Sequence, residues 1–289
     1  MMVDSLPVET VVVNLLGDFE IGFDNGIAPG WRSKKCTNLF AFLVVNDGRP
    51  VSRERLEAVL WPHPGRPAGP TALKVLVHTL RRALDAAFGR DRDFLQIDNH
   101  GGGYILRLGE QVRVDIHEFE RLCRDGGEAS GRASADAIAH YSRACGLYRG
   151  DFLAGCGEEW VYEYREWLRA NMMHALSVLA GHAGHTEDAL AAIGHARRML
   201  ELDPSEERAF QTMILVHGRR GEYDQVDYWY GLCSQRLAQD LDVAPQEATQ
   251  RLLLQARHGE LIRRRGGSRT HHSGTRVVKY TAGRSGARG

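Results

Sequence analysis

Between Glu57 and Asp85 the chain carries no carboxylate, yet His63, Arg66, Lys74, His78, Arg81 and Arg82 all fall in that interval. Neutral or positive groups with no acid among them suit a polyanionic partner, phosphate above all. Projected at 100° per residue, Leu73, Leu76, Val77, Leu80, Leu84, Ala87 and Phe88 gather on one side of a helix, while Thr71, Val75, His78 and Arg82 gather on the other, flanked by Lys74 and Arg81. A helix is the element that fits the major groove of DNA. There an arginine such as Arg82 reaches guanine O6 and N7, and an apolar group such as Val75 meets a thymine methyl. The same projection also describes an ordinary amphipathic helix with a solvated face, and the pattern alone leaves both readings open.

Other chemistry is poorly supplied. Gly101-Gly102-Gly103 lacks the G-x-x-x-x-G-K-[ST] spacing of a phosphate-cradling loop and reads instead as a turn whose backbone needs positive φ. His174, His182 and His185 stand eight and three positions apart, which is no recognised metal-ligand spacing. The five cysteines, Cys36, Cys123, Cys145, Cys156 and Cys233, include no C-x-x-C pair and read as reduced core residues. The expectation is therefore a protein that is not an enzyme, with no catalytic residues, no metal and no cofactor.

The basic helix needs elements to hold it. From Thr10 to Ile27 apolar residues alternate loosely (Val11, Val13, Leu15, then Phe19, Ile21, Phe23), which predicts a small antiparallel sheet. Leu39 to Val44 predict a helix that stops at Asn46-Asp47-Gly48. Ser52 caps a second helix, which Pro62 ends. The stretch Trp61–Pro70 (WPHPGRPAGP) is too rich in proline and glycine for regular structure and reads as an exposed connector. Pro70 then opens a helix that runs to Phe88 and stops at Gly89. Strand, glycine-rich turn and strand follow over Phe94–Asp98, Asn99–Gly103 and Tyr104–Leu108.

After Val112 strand signals vanish, and nearly everything to His258 reads as helix. Gly184–Ala189 and Gly221–Val226 are offset by 37 positions with Leu202-Asp203-Pro204 between them, close to the tetratricopeptide period. Aromatic and aliphatic residues at helical spacing, Trp160, Tyr164, Trp167, Leu168 and Leu176, are expected in the core of this bundle. Beyond Glu260 no acid occurs while eight basic residues stand among Gly, Ser and Thr, which reads as a disordered basic tail. Formal net charge is zero, arguing against indiscriminate coating of nucleic acid. No apolar run is long enough for a membrane span and no signal peptide is evident, so a cytoplasmic, nucleoid-associated protein without membrane contact is expected.

The stretches GRPVSRERLEAVLWP, TALKVLVHTLRRAL and GGGYILRL resemble the OmpR-type DNA-binding domain of the Streptomyces antibiotic regulatory protein family. VDIHEFERL, HYSRACGLYRGDFLAG and EEWVYEYREWLRANMMHALSVLA resemble that family's bacterial transcriptional activator domain, and the two resemblances together cover roughly Val11 to His258. The resemblance implies an α+β winged helix-turn-helix domain (1–110), an all-α tetratricopeptide-like repeat domain (111–259) and the tail (260–289). It implies a DNA-binding transcriptional activator, specific for a secondary-metabolite (antibiotic) gene cluster, that binds direct repeats in double-stranded DNA as a homodimer and recruits RNA polymerase holoenzyme. Thr71 to Leu84 would be the recognition helix. The DNA-contacting set would be Arg53, Thr71, Lys74, Val75, His78, Arg81, Arg82, Asn99 and His100, with Asn99–Gly103 as the wing tip. The connector, through His63, Pro64, Gly65, Arg66 and Pro67, would touch the polymerase.

Two departures qualify the resemblance. Val77-His78-Thr79-Leu80-Arg81 stands where the family often has Val-Ser-Arg-Leu-Arg, so a preferred base sequence does not transfer. Asn99-His100 stands at the wing tip where an arginine is common. A repressor or ligand-gated regulator on the same fold, or an adaptor that binds protein through its helical repeats, remains an alternative reading.

Overall fold

The structure is a computed structural model that describes residues 10–23, 26–27, 33–62, 69, 71–90, 92–129 and 135–262. The first strand, β1 (Val11–Asn14), pairs antiparallel with β2 (Glu20–Phe23), which pairs antiparallel with β3 (Gly26–Ile27). Val11, Val13 and Ile21 are buried as the alternation requires. On its other edge β1 pairs parallel with β6 (Val112–Val114), Val11 opposite Val112 and Val13 opposite Val114. The sheet order is thus β3-β2-β1-β6, and a strand beyond residue 110 completes it.

Ser33 caps α1 (Lys34–Val45), its side chain accepting from Cys36 N, and Ser52 caps α2 (Arg53–Leu60), accepting from Arg55 N. The third helix, α3 (Ala72–Phe88), begins after Thr71 and ends at Gly89, whose φ of +82° suits glycine at that position. Leu73, Val77, Leu80 and Leu84 form its buried stripe. β4 (Leu95–His100) and β5 (Gly103–Leu108) then make an antiparallel hairpin. Its turn is shorter than the sequence implies: only Gly101 (φ +55°) and Gly102 (φ +85°) lie outside the strands, and positive φ at both central residues is what a tight two-residue hairpin turn demands. Gly103 is needed for a different reason. A Cβ there would lie 2.0 Å from Val51 O, because Val51 bridges the hairpin through Val51 N to Tyr104 O at 2.8 Å and Tyr104 N to Val51 O at 2.9 Å.

The second half is helical: α4 (Asp115–Ala129), α5 (Ala135–Leu147), α6 (Glu159–His185), α7 (Ala189–Leu202), α8 (Glu207–Arg219), α9 (Tyr223–Leu241) and α10 (Glu247–Arg257). The two offset motifs fall at the α6–α7 and α8–α9 turns, where Asp188 caps α7 by accepting from Ala191 N and Glu222 precedes α9. The fold is an α+β winged-helix domain followed by a tetratricopeptide-like helical region. Along α6, Leu168 and Leu176 are buried and Trp160 and Tyr164 are partly so, but Trp167 is 47% exposed, contrary to the core position expected for it. Exposed positions 159, 162, 163, 166, 167 and 170 form an outer stripe at i, i+3, i+4, i+7 spacing, and Trp167 belongs to it, stacked on Tyr164.

One apolar core runs from β1 through α1 and α4 to Met213 of α8. Asp115, 7% exposed at the start of α4, accepts from Leu15 N, Leu16 N and Ile116 N. Leu153 N donates to Leu15 O and Ala154 N to Gly17 O, stitching the loop before α6 onto the end of β1. On α1, Phe42 meets Trp160 edge-on at 5.0 Å, Val44 O bonds His117 Nε2, and Asn38 bonds Glu158 at 3.1 Å.

Candidate nucleic-acid interface

The amphipathic stripe of α3 faces inward, so its opposite face is turned to solvent. Thr71, Lys74, Val75, His78, Thr79 and Arg82 are exposed there, Val75 to 60%. Thr79 Oγ1 is engaged locally with Val75 O. Between this helix and the hairpin lies an open cleft of about 560 Å³. Its walls bring together Arg53 from α2, Lys74 and Arg81 from α3, and Asn99 and His100 from the end of β4. Five residues from three elements thus converge although the sequence separates them by up to 47 positions, Arg53 to His100.

Individual environments differ. Arg81 is half-buried, and its Nε donates to Ile97 O at 3.1 Å, so the side chain fastens α3 to the wing and offers its charge to the cleft from a fixed position. Arg53 pairs with Glu57 one turn along α2, Nε to Oε1 2.7 Å. Asn99 and His100 lie within the paired strand, opposite Tyr104 and Gly103. The tip itself is Gly101-Gly102, which carries no side chain and makes the hairpin end narrow.

Arg92 is a contributor that sequence reasoning passed over. It is 9% exposed, pairs with Asp85 of α3 at 2.8 Å, and donates to the carbonyls of Arg81 and Leu95. It therefore ties the last turns of the helix to the start of the wing. Flanked by Asp91 and Asp93, it reads in sequence as one more surface charge, and no local signal marks it. Lys35 acts similarly at the C-terminus of α2, donating to Leu60 O at 2.6 Å with its ammonium over the Trp61 ring. The connector residues expected to touch polymerase, His63, Pro64, Gly65, Arg66 and Pro67, lie outside the described residues.

Residues 30–106 match the model of the transcriptional regulatory protein C-terminal family, and residues 114–256 match that of the bacterial transcriptional activator domain. The first part of the chain thus matches a transcriptional-regulator family and the second the bacterial transcriptional activator domain. The chain is similar to the solved structure of Mycobacterium tuberculosis EmbR in complex with a low-affinity phosphopeptide, at 22% identity and a TM-score of 0.70. That likeness in fold covers 87% of this chain and 66% of the EmbR chain, just under two thirds of the latter's length. A Plasmodium falciparum FK506-binding protein's C-terminal TPR-containing domain aligns with half of the chain at 13% identity and a TM-score of 0.38. No curated protein sequence matches the chain. Among the described residues no cluster of three or more His, Cys, Asp or Glu is placed to hold a metal, and no helix is long and apolar enough to cross a membrane.

Proposed function

We propose that the protein is a DNA-binding transcriptional activator that lays α3 in the major groove of duplex DNA, inserts the β4–β5 hairpin in the adjacent minor groove, and recruits RNA polymerase holoenzyme through His63–Pro67. The observation that carries this reading is the cleft between helix and hairpin. A helix and a wing in neighbouring grooves must straddle the phosphodiester strand between them, and the side chains gathered at that cleft include Arg53, Lys74 and Arg81, with no carboxylate among the described residues that line it. The glycine tip suits a minor groove about 6 Å wide. On the exposed face Thr71, Val75, His78 and Arg82 read bases, while Lys74, Asn99 and His100 hold backbone. Binding as a homodimer to direct repeats follows the family pattern, with two domains on one side of the duplex and repeats about every 10 to 11 base pairs. Control of a secondary-metabolite gene cluster also rests on that pattern.

The test measures affinity for bound genomic sites and for random duplex over a salt series. Arg82→Ala is expected to cost about 1 to 3 kcal/mol and to relax preference at one operator position. Lys74→Ala is expected to weaken all sequences alike and to lower the salt slope by about one. Replacing His63–Pro67 with a neutral linker is expected to leave operator affinity intact while reducing transcription in a reconstituted assay. Wild-type operator binding by both Arg82→Ala and Lys74→Ala would remove α3 as the recognition helix.

A further inference from the structure

The outer face of the first half of α6 is acidic and aromatic. Glu159, Tyr162, Glu163, Glu166 and Trp167 are all exposed on it, Tyr162 to 51% and Trp167 to 47%. Glu159 and Glu163 make no ion pair among the described residues, and Glu166 has only Arg169 at 3.6 Å. The two arginines of this stretch direct their hydrogen bonds to carbonyls, Arg165 to those of Phe152, Leu153 and Cys156 and Arg169 to that of Leu202. Arg165 also lies over the Tyr162 ring, 5.4 Å from its centroid, and Trp167 stacks on Tyr164, so one face of each exposed ring is covered. What remains is a row of carboxylates spaced one turn apart, with the outer faces of the half-exposed Tyr162 and Trp167 rings beside them. Guanidinium and ammonium groups interleaved with apolar residues suit such a face, because carboxylates accept their hydrogen bonds and rings attract cations.

We propose that this face docks the segment Arg276–Arg284 of the chain's own C-terminal stretch, with Lys279 among the three glutamates. The complementarity is one of charge and of apolar content. Beyond Glu260 the chain has no acid, and Arg276-Val277-Val278-Lys279-Tyr280 alternates cationic with apolar and aromatic side chains. The reach is sufficient. Leu261 and Ile262 pack at the end of α8, where added Cβ atoms on Gly218 and Gly221 would meet them at 2.9 and 3.7 Å, and Arg219 of α8 donates to Gly184 O near the end of α6. From Gly184 back to Glu163 is about 31 Å at 1.5 Å per residue. The residues from Ile262 to Arg276 extend to about 46 Å, and tethering gives the docking segment a high effective concentration on this face. Docking also holds these cations off the DNA phosphates they would otherwise meet.

The chain's lysines are Lys34, Lys35, Lys74 and Lys279, so zero-length carbodiimide cross-linking reads the contact directly. The full chain, without DNA, is cross-linked at low salt, and the monomer band is mapped by mass spectrometry. Lys279 is expected to join Glu159, Glu163 or Glu166, with the yield falling several-fold in 0.5 M salt and vanishing in E159Q/E163Q/E166Q. All three positions are exposed, and a melting curve of the triple variant confirms that it folds. E163K/K279E, which exchanges the charges, is expected to restore a cross-link between the two positions. Cross-links from Lys279 to other carboxylates at equal yield, only in a dimer band, or unchanged in the triple variant would overturn the proposal. No step depends on DNA, so its failure is separate from failure of the DNA-binding reading.

Discussion

Asp115→Ala tests how the two halves are joined. The Asp115 carboxylate accepts from three backbone amides, Leu15, Leu16 and Ile116, at 2.7 to 2.9 Å, and it is nearly sealed from water with Arg149 3.8 Å away. Alanine removes the acceptor and leaves buried N–H groups without partners. Each such group costs about 1 to 3 kcal/mol, and since the three share one site the combined loss is taken as about 3 to 6 kcal/mol. For a chain of this size that corresponds to a fall in Tm on the order of 10 °C. Asp115→Asn keeps one oxygen but turns an NH2 toward a donor, so an intermediate loss is expected. Burial pushes the Asp115 carboxyl above its ordinary range by more than the amides of Leu16, Leu15 and Ile116 hold it down. The folded protein therefore binds this proton more tightly than the unfolded chain, and the resulting stabilisation is present at acid pH and lost as pH rises through the raised value. The advantage of wild type over Asp115→Asn should thus be larger at about pH 4 than at about pH 7. Scanning calorimetry of the three proteins at both pH values measures this, and an Asp115→Ala protein melting within about a degree of wild type would show that the carboxylate does not hold the two halves together.

Arg92→Ala is expected to lose on the order of 2 to 3 kcal/mol, because Asp85 and two carbonyls lose a charged donor, and to lower DNA affinity by loosening α3 against the wing; unchanged melting and binding would remove Arg92 from the positioning scheme. Trp167→Ala should shift stability by no more than about 0.5 to 1 kcal/mol in thermal melts, as at other exposed positions, whereas a loss of about 3 to 5 kcal/mol would place the indole in the core. Burial pushes the Cys123, Cys145 and Cys233 thiols up from 9.0 to about 12, 11 and 12. These three are expected to resist alkylation at about pH 8 in the native protein, and the stability they contribute should be lost as pH rises from about 9 toward 12; rapid native labelling at these positions would contradict it.

The features legible in the sequence are those whose cause is local. The α3 stripe, the Ser52 cap, the Gly89 stop and the glycine turn each follow from residues a few positions apart, and all are present in the fold. The helical repeats were legible because two turns share a pattern. β6 was not, because a three-residue parallel strand has no periodicity to read, and its partner lies about a hundred residues away. Trp167 was misplaced because spacing from Trp160 and Tyr164 fits a helix but does not say which side is inner. That side is fixed by what α6 packs against. For the candidate interface, the sequence marks the exposed face of α3 but not the cleft, since Arg53, Lys74 and His100 meet only through the packing of α2, α3 and β4. The anchoring roles of Arg81 and Arg92 are equally tertiary, as both depend on carbonyls at the start of the wing.

The position of α1 constrains how a signal in the helical half would reach DNA. Leu39, Phe40, Ala41, Phe42, Leu43 and Val44 are all buried, although a helix with a solvent face would expose several of six consecutive residues. They are buried because α1 lies between two partners: α2 and α3 on one side, and Trp160, Glu158 and His117 of the helical half on the other. A hinge between the halves would have to separate Phe42 from Trp160, release the amides held by Asp115 and open the Leu15–Leu153 link together. Those costs sum to several kcal/mol even at about 1 kcal/mol per neutral hydrogen bond, more than the 1 to 3 kcal/mol typical of allosteric coupling. Control of the proposed DNA binding is therefore expected at the surfaces of the joined body, such as the face of α3 and the acidic stripe of α6, and not at a hinge between the halves. An effector that alters DNA binding is expected to leave the Phe42–Trp160 contact intact, read as unchanged Trp160 fluorescence in a variant retaining Trp160 alone, whereas a spectral shift on effector binding would reveal a hinge between the halves.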